Sequence, residues 1–226
     1  MNTFPSAPAG AVAPPAAPAV RSTYRHGDLR RALLDAGVEL ARAGGPEAVV
    51  LREVTRRAGV VPNAAYRHFG SLQELLKAVR AAALSASAAA MEAELATVPD
   101  GLPPADAARA RLRAIGTGYL RFAQSETGLF RTAYMASDDM AGAGDPARAG
   151  PSGLNPFQLL GAALDQMVAA GAMPAARRPG AELLAWSTVH GLAMLVLDGP
   201  LGVVVGGQLP QVGEHLLDLL ERGFSL

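Results

Sequence analysis

Arg52, Thr55, Pro62, Asn63, Ala64, Tyr66 and His68 fall within one stretch, residues 51–69, whose side chains suit contact with a nucleic acid. Arginine, histidine and a tyrosine hydroxyl can hold phosphate oxygens, and an asparagine amide can pair with both polar atoms on an adenine edge. The spacing predicts two short helices. In the first, Leu51, Val54, Thr55 and Ala58 share one face, while Arg52, Glu53, Arg56 and Arg57 point outward. Gly59 stops that helix. Pro62 suits the first position of the next, because the N–H it lacks would have no intrahelical partner there. Ala65 and Phe69 then turn inward and leave Pro62, Asn63, Tyr66 and His68 exposed. A buried seam, a glycine turn and an outer helix beginning with short polar side chains are what a helix-turn-helix brings to a major groove. Each residue also has a plainer reading. Tyr66 and His68 could be the exposed end of a packed helix, Arg52 a solvated surface arginine, and Asn63 a polar helix start with no base partner.

The rest of the chain reads as helices that would carry this unit. Ser71 caps a long helix running to about Thr97, with Glu74 completing a capping box. Pro99 to Pro104 form a break, and Asp106 opens a helix with Leu112, Ile115, Tyr119 and Phe122 on one face. Gly128 begins a short segment containing Leu129, Phe130, Tyr134 and Met135. Residues 136–153 are rich in glycine, proline and aspartate without periodicity and are expected to form a mobile loop. Asn155-Pro156 starts a helix carrying Phe157, Leu160, Leu164 and Met167, which Gly171 ends. Two amphipathic helices follow, about 179–197 and 211–223. Only Val203 to Val205 has any strand character, so the expected fold class is all-α.

On the helix 179–197, Leu183, Trp186, His190, Met194 and Leu197 share a face. Tyr119, Phe122, Phe130, Tyr134 and Met167 could meet it to line a ligand cavity, or the whole set could be ordinary core. His190 has a plain reading as a satisfied buried histidine. Opposite lie Leu184, Thr188, Leu192 and Leu195, and the last helix adds Val212, Leu216, Leu219 and Leu220. A helix apolar on two sides must be covered on two sides, and a second subunit is the natural cover.

Composition narrows the function classes. The 226-residue chain is long enough to bury a substantial core and contains no cysteine, which excludes disulfides and thiolate metal sites. Its net charge is zero but unevenly spread: residues 21–80 hold 11 Lys and Arg against 6 Asp and Glu, and residues 81–226 hold 9 against 14. The basic half contains the helix-turn-helix, as phosphate binding requires. Residues 1–20 are uncharged and mostly Ala and Pro, and are expected to form a disordered tail and not a signal peptide, since prolines interrupt the apolar run. No bilayer-spanning stretch is evident, so a cytoplasmic location is expected. The four histidines, 26, 68, 190 and 215, lack metal-ligand spacing, and no catalytic or phosphate-loop motif appears. No catalytic residue, metal or cofactor is expected.

The run from Tyr24 to Ala82 resembles the N-terminal domain of TetR-family transcriptional regulators. The match lies in His26-Gly27-Asp28-Leu29, Leu33-Leu34-Asp35-Ala36, Leu51-Arg52-Glu53-Val54 and Ala65-Tyr66-Arg67-His68-Phe69. Trp186, His190 and Gly191 resemble the Trp-His-Gly pattern of one subgroup of TetR C-terminal domains. The resemblance implies a helix-turn-helix head over residues 21–80 and a helical ligand-binding and dimerisation domain over 81–226. It implies a homodimer, joined through a four-helix bundle, that binds a near-palindromic double-stranded DNA operator as a repressor and is released by a small-molecule inducer. It also places a base-contacting arginine at Arg52. A helical protein-interaction module would leave the basic head unexplained, and an enzyme would lack a recognisable centre. The sequence departs from the family where Val50 and Val61 replace the usual Ser or Thr caps, and where Leu72 replaces a phosphate-binding lysine. These changes imply weaker DNA binding unless the tail or Arg21 and Arg25 compensate.

Overall fold

The computed structural model describes residues 26–134 and 144–225, with side chains from Leu29 onward. The expected tail, Arg21, Arg25, Met135 and the first part of the expected loop lie outside the described residues. The N-terminal unit comprises α1 (His26–Gly44), α2 (Leu51–Arg57) and α3 (Pro62–Ala65). Seven helices follow: α4 (Leu72–Leu95), α5 (Pro104–Ser125), α6 (Thr127–Tyr134), α7 (Pro156–Ala169), α8 (Ala181–Leu197), α9 (Gly202–Val205) and α10 (Leu209–Ser225). The fold is all-helical, and no strand occurs among the described residues. Val203 to Val205 lie in α9.

Local chemistry sets the helix boundaries. Ser71 Oγ accepts the Glu74 N–H at 3.1 Å, and the Glu74 carboxylate reaches back to the N–H of Gly70, not of Ser71. Asn155 and Gln158 form a complete capping box at the start of α7, each side chain accepting the other's backbone N–H at 2.9 Å. Gly171 follows α7 at φ +68°, the left-handed position that ends a helix without a Cβ clash. The helix expected to open at Asp106 begins two residues earlier, at Pro104, where the missing N–H is not needed.

The continuous helix α4 is the spine. Near its start Leu75 and Val79 pack against α1 at Gly37; near its end Met91 meets α5 at Gly118, where an added Cβ would lie 2.6 Å from the Met91 Cα. Residue 80 therefore falls inside a helix shared by head and body. A second junction lies at α6. Gly128 rests on the last turn of α1, and a Cβ there would sit 2.3 Å from the carbonyl oxygens of Ala41 and Arg42. Arg42 Nε donates to Glu126 at 2.9 Å beside it.

The later part of the expected loop is ordered. Residues Pro146–Arg148 form a 3-10 turn packed on α4, with the Asp145 side chain accepting the Ala147 N–H. Ser85 of α4 donates to the Ala149 carbonyl at 2.6 Å, and the Glu92 carboxylate accepts from the Ser152 hydroxyl at 2.6 Å. Such polar side-chain anchors leave no hydrophobic period in the sequence.

Candidate nucleic-acid interface and ligand cavity

The turn between α2 and α3 is built by its backbone. Gly59 adopts φ +69°, the Val60 N–H donates to the Thr55 carbonyl at 2.9 Å and the Gly59 N–H to Arg56 at 3.2 Å, a Schellman closure. Regular helix in α3 lasts only from Pro62 to Ala65. The outer helix expected to reach Phe69 continues as turns, with the His68 and Phe69 N–H groups both donating to Ala65 at 2.9 Å. Val50 and Val61 occupy the two N-caps and make no side-chain cap.

Arg52, Pro62, Asn63 and Tyr66 are exposed, and Ala64 and His68 are half-buried beside them. Thr55 is a correction: it is 1 % exposed, and its hydroxyl donates to the carbonyls of Leu51 and Arg52. It holds the seam and does not face outward. Phe69 closes the inner side, with the Arg30 guanidinium 4.4 Å from its ring centre. Arg56 is committed to Glu53, its Nε donating at 2.9 Å.

A cavity of about 130 Å³ lies within the C-terminal helices, walled by α4, α5, α6, α7, α8, α10 and the turn Pro146–Arg148. Of the residues expected to line it, Tyr119, Tyr134 and Trp186 do so. His190 sits behind Tyr119. Phe122, Phe130 and Met167 are buried in the surrounding core and Met194 is half-buried at its edge; none of the four lines the cavity. Sequence reasoning missed Arg80, Arg113, Arg148, Asn155 and Phe157, which do line it. Arg80 carried a signal, since it shares the apolar face of α4 with Leu84 and Met91. Arg148 carried none, because its turn has no periodicity.

The aromatic wall is fixed by a short hydrogen-bond chain. Trp186 Nε1–H donates to the Tyr119 hydroxyl at 3.4 Å, and that hydroxyl lies 2.8 Å from His190 Nδ1. The hydroxyl oxygen, with two lone pairs, accepts from Trp186 and shares one hydrogen bond with Nδ1 whose direction follows the His190 tautomer. Burial pushes the His190 pKa below its ordinary 6.5 and favours a neutral imidazole. Burial also raises the pKa of Tyr119 and of Tyr134, so both remain protonated phenols; Tyr134 pairs with Ser87 at 2.8 Å. The Tyr119 and Phe130 rings meet edge to face at 5.5 Å, and Phe157 meets Trp186 at 6.1 Å.

On the outside of α8 and α10, Leu184, Leu195 and Leu219 are exposed and Thr188, Val212 and Leu216 half-buried. Leu192 is already buried within its own chain, and Leu220 lines the cavity. Leu183, expected beside Trp186, is 63 % exposed instead. The face of α8 that enters the core is Ala181, Ala185, Val189, Leu192, Ala193 and Val196. Among the described residues no acidic and histidine cluster could hold a metal, and no helix is long and apolar enough to cross a membrane.

An exposed helix-turn-helix joined through a shared helix to an all-helical, cavity-bearing body defines the class of helix-turn-helix proteins with helical C-terminal regions. Sequence comparison agrees. Residues 33–79 match the family described as bacterial regulatory proteins, tetR family, and residues 112–220 match the tetracyclin repressor-like C-terminal domain. A solved structure of a protein of unknown function from Rhodococcus sp. RHA1 is 26 % identical and superposes with a TM-score of 0.71, covering 91 % of this chain and 100 % of that one. A TetR variant from Acinetobacter baumannii AYE in complex with minocycline is 17 % identical, with a TM-score of 0.56 and coverage of 86 % and 92 %. FadR from Bacillus subtilis in complex with stearoyl-CoA is 13 % identical, with a TM-score of 0.53 and coverage of 85 % and 98 %. No curated protein matches the sequence. The chain belongs to the TetR family, whose members are ligand-responsive, DNA-binding transcription regulators. Neither family description names the Trp-His-Gly subgroup.

Proposed function

We propose that this chain is a ligand-responsive repressor that binds a near-palindromic operator as a homodimer and is released when a small molecule occupies its cavity. In this reading residues 21–80 form the head and 81–226 the body, within the cytoplasm, and no enzymatic step is involved. One observation carries the proposal: α4, whose start packs on α1 of the head that bears the exposed Arg52, Pro62, Asn63 and Tyr66, lines the cavity further along with Arg80, Leu84 and Met91. The minocycline and stearoyl-CoA complexes of its structural neighbours support a ligand site in bodies of this fold.

In the proposed DNA complex, Tyr66 and His68 contact phosphates while Asn63 and Arg52 meet base edges. Ligand and DNA need not touch to affect each other. A ligand that binds better to one separation of the two heads shifts the population toward it, and DNA that prefers another separation is released by the same free energy. Helices α4 and α6 are the proposed carriers, because each touches both the cavity wall and α1. The test is retardation of DNA from the gene's own upstream region at two salt concentrations. A shifted band whose affinity falls with salt supports the reading; no shift at low salt overturns it.

A further inference from the structure

We propose that the cavity takes a small carboxylic acid with an apolar body about one ring in size, its carboxylate held by Arg148; this rests on the cavity being the ligand site. Arg148 is only 7 % exposed, its side chain lines the cavity, and its Nε is sealed from solvent without a hydrogen-bond partner. Arginine stays charged at any physiological pH, and a buried guanidinium without a counter-ion is strongly unfavourable. No described residue offers Arg148 an ion pair. Among the described acids, Asp145 caps the turn, Glu92 holds Ser152, and Glu221, which lines the cavity, pairs with Arg113 at 2.9 Å.

The remainder of the cavity suits an apolar body. Leu84, Phe157, Leu160 and Trp186 supply hydrophobic wall, and Arg80, whose Nε donates to the Ala133 carbonyl at 3.0 Å, adds a second positive group. A volume of about 130 Å³ is close to that of an apolar cavity that holds one benzene ring. A carboxylate on such a ring can take the guanidinium fork through two parallel hydrogen bonds, which a neutral amide cannot match in charge.

Trp186 is the only tryptophan in the chain and lines the cavity, so its fluorescence reports occupancy directly. Benzoate and phenylacetate would be titrated against benzamide and phenylacetamide, using the full chain, Arg148→Gln and Arg148→Lys, with circular dichroism confirming the fold. In the wild type the acids should bind at least about tenfold tighter than their amides, the margin expected of a hydrogen bond to a charged group. That preference should vanish in Arg148→Gln and persist in part in Arg148→Lys. Scoring each protein by its own acid-to-amide ratio cancels any general loosening of the cavity. Amides binding as tightly as acids to the wild type, or an acid preference that survives Arg148→Gln, would overturn the proposal and leave the cavity as a ligand site. If none of the four probes alters Trp186 fluorescence at millimolar concentration, the proposal fails, while the cavity reading still stands on α4 and is judged by the DNA retardation assay.

Discussion

Asn63 and Tyr66 stand exposed on the same short turn of the head, and the proposed DNA complex gives them different tasks. An amide that pairs with one base discriminates; a phenol on a phosphate does not. Asn63→Ala should therefore relax preference at one base pair per half-site, by about 1 to 3 kcal/mol. Tyr66→Phe should weaken binding to every sequence alike, by roughly 1 kcal/mol. Site selection from a random pool separates the two, and an unchanged consensus for Asn63→Ala would remove it from base contact. Val61 is a different case, since it is 68 % exposed at an N-cap and offers no acceptor. Val61→Ser should raise stability by about 1 kcal/mol, measured as a higher urea midpoint with unchanged slope. Leu72→Lys is less simple than the family pattern implies. Leu72 is half-buried against the core, so any gained phosphate contact is offset by lost packing. His190 sets a pH dependence. Its pKa is lower folded than unfolded, so its contribution is fully present above the unfolded value of about 6.5 and is lost as pH falls below that toward the folded pKa. His190→Asn should flatten stability across that acid window. Much of this scale was legible in the sequence, because Asn63, Tyr66 and the two valine caps follow from turn position. Thr55 had two readings, inward by its helical face and outward by its polar chemistry, and the bond of its hydroxyl to Leu51 and Arg52 decides for the first.

Helices were legible wherever one face differed from the other or a cap announced a boundary. Ser71 and Asn155 start helices as expected, and α5 places Leu112, Ile115, Tyr119 and Phe122 inward. Helix α8 defeated the same reasoning. It is apolar nearly all round, so periodicity selects no face, and its core-facing stripe begins with alanines that carry little weight in a hydrophobic pattern. That is why Leu183 was expected inside and stands outside. The close approach of α6 to α1 was equally invisible, since a single glycine in sequence does not say which backbone it meets. Its consequence is testable. In Gly128→Ala the added methyl would collide with the Ala41 and Arg42 carbonyls, backbone atoms that cannot swing aside. The variant should lose about 1 to 3 kcal/mol of stability. It should also respond less to ligand, because α6 carries Tyr134 at the cavity wall. A denaturation midpoint and a ligand response both equal to wild type would show that this junction is not under strain.

For the whole molecule, charge and apolar surface mark two different parts of the chain. The excess of basic residues in 21–80 and of acidic residues in 81–226 orients the head toward a polyanion and keeps the body away from it. The body has its own unmet requirement, an outer face on α8 and α10 where Leu184, Leu195 and Leu219 lie exposed. A homodimer would cover this face and, by its two-fold symmetry, set the separation of the two heads on which the proposed ligand-driven release of DNA depends. The eight positions expected at that interface are not equivalent tests of it. Leu192 is buried within its own chain, so Leu192→Asp would place a charge in the core and unfold the protein whether or not a dimer exists. Leu219 is half exposed in the single chain, so Leu219→Asp should leave the fold intact and act only through a partner. Light scattering should give the mass of two chains for the wild type and a concentration-dependent fall toward one chain for Leu219→Asp, with an unchanged circular dichroism spectrum. A wild type with the mass of a single chain would exclude the bundle. DNA retardation by Leu219→Asp adds the functional consequence: if two heads share one operator, affinity should drop by far more than the loss of any single base contact, since the second head no longer binds at an effective concentration set by the first.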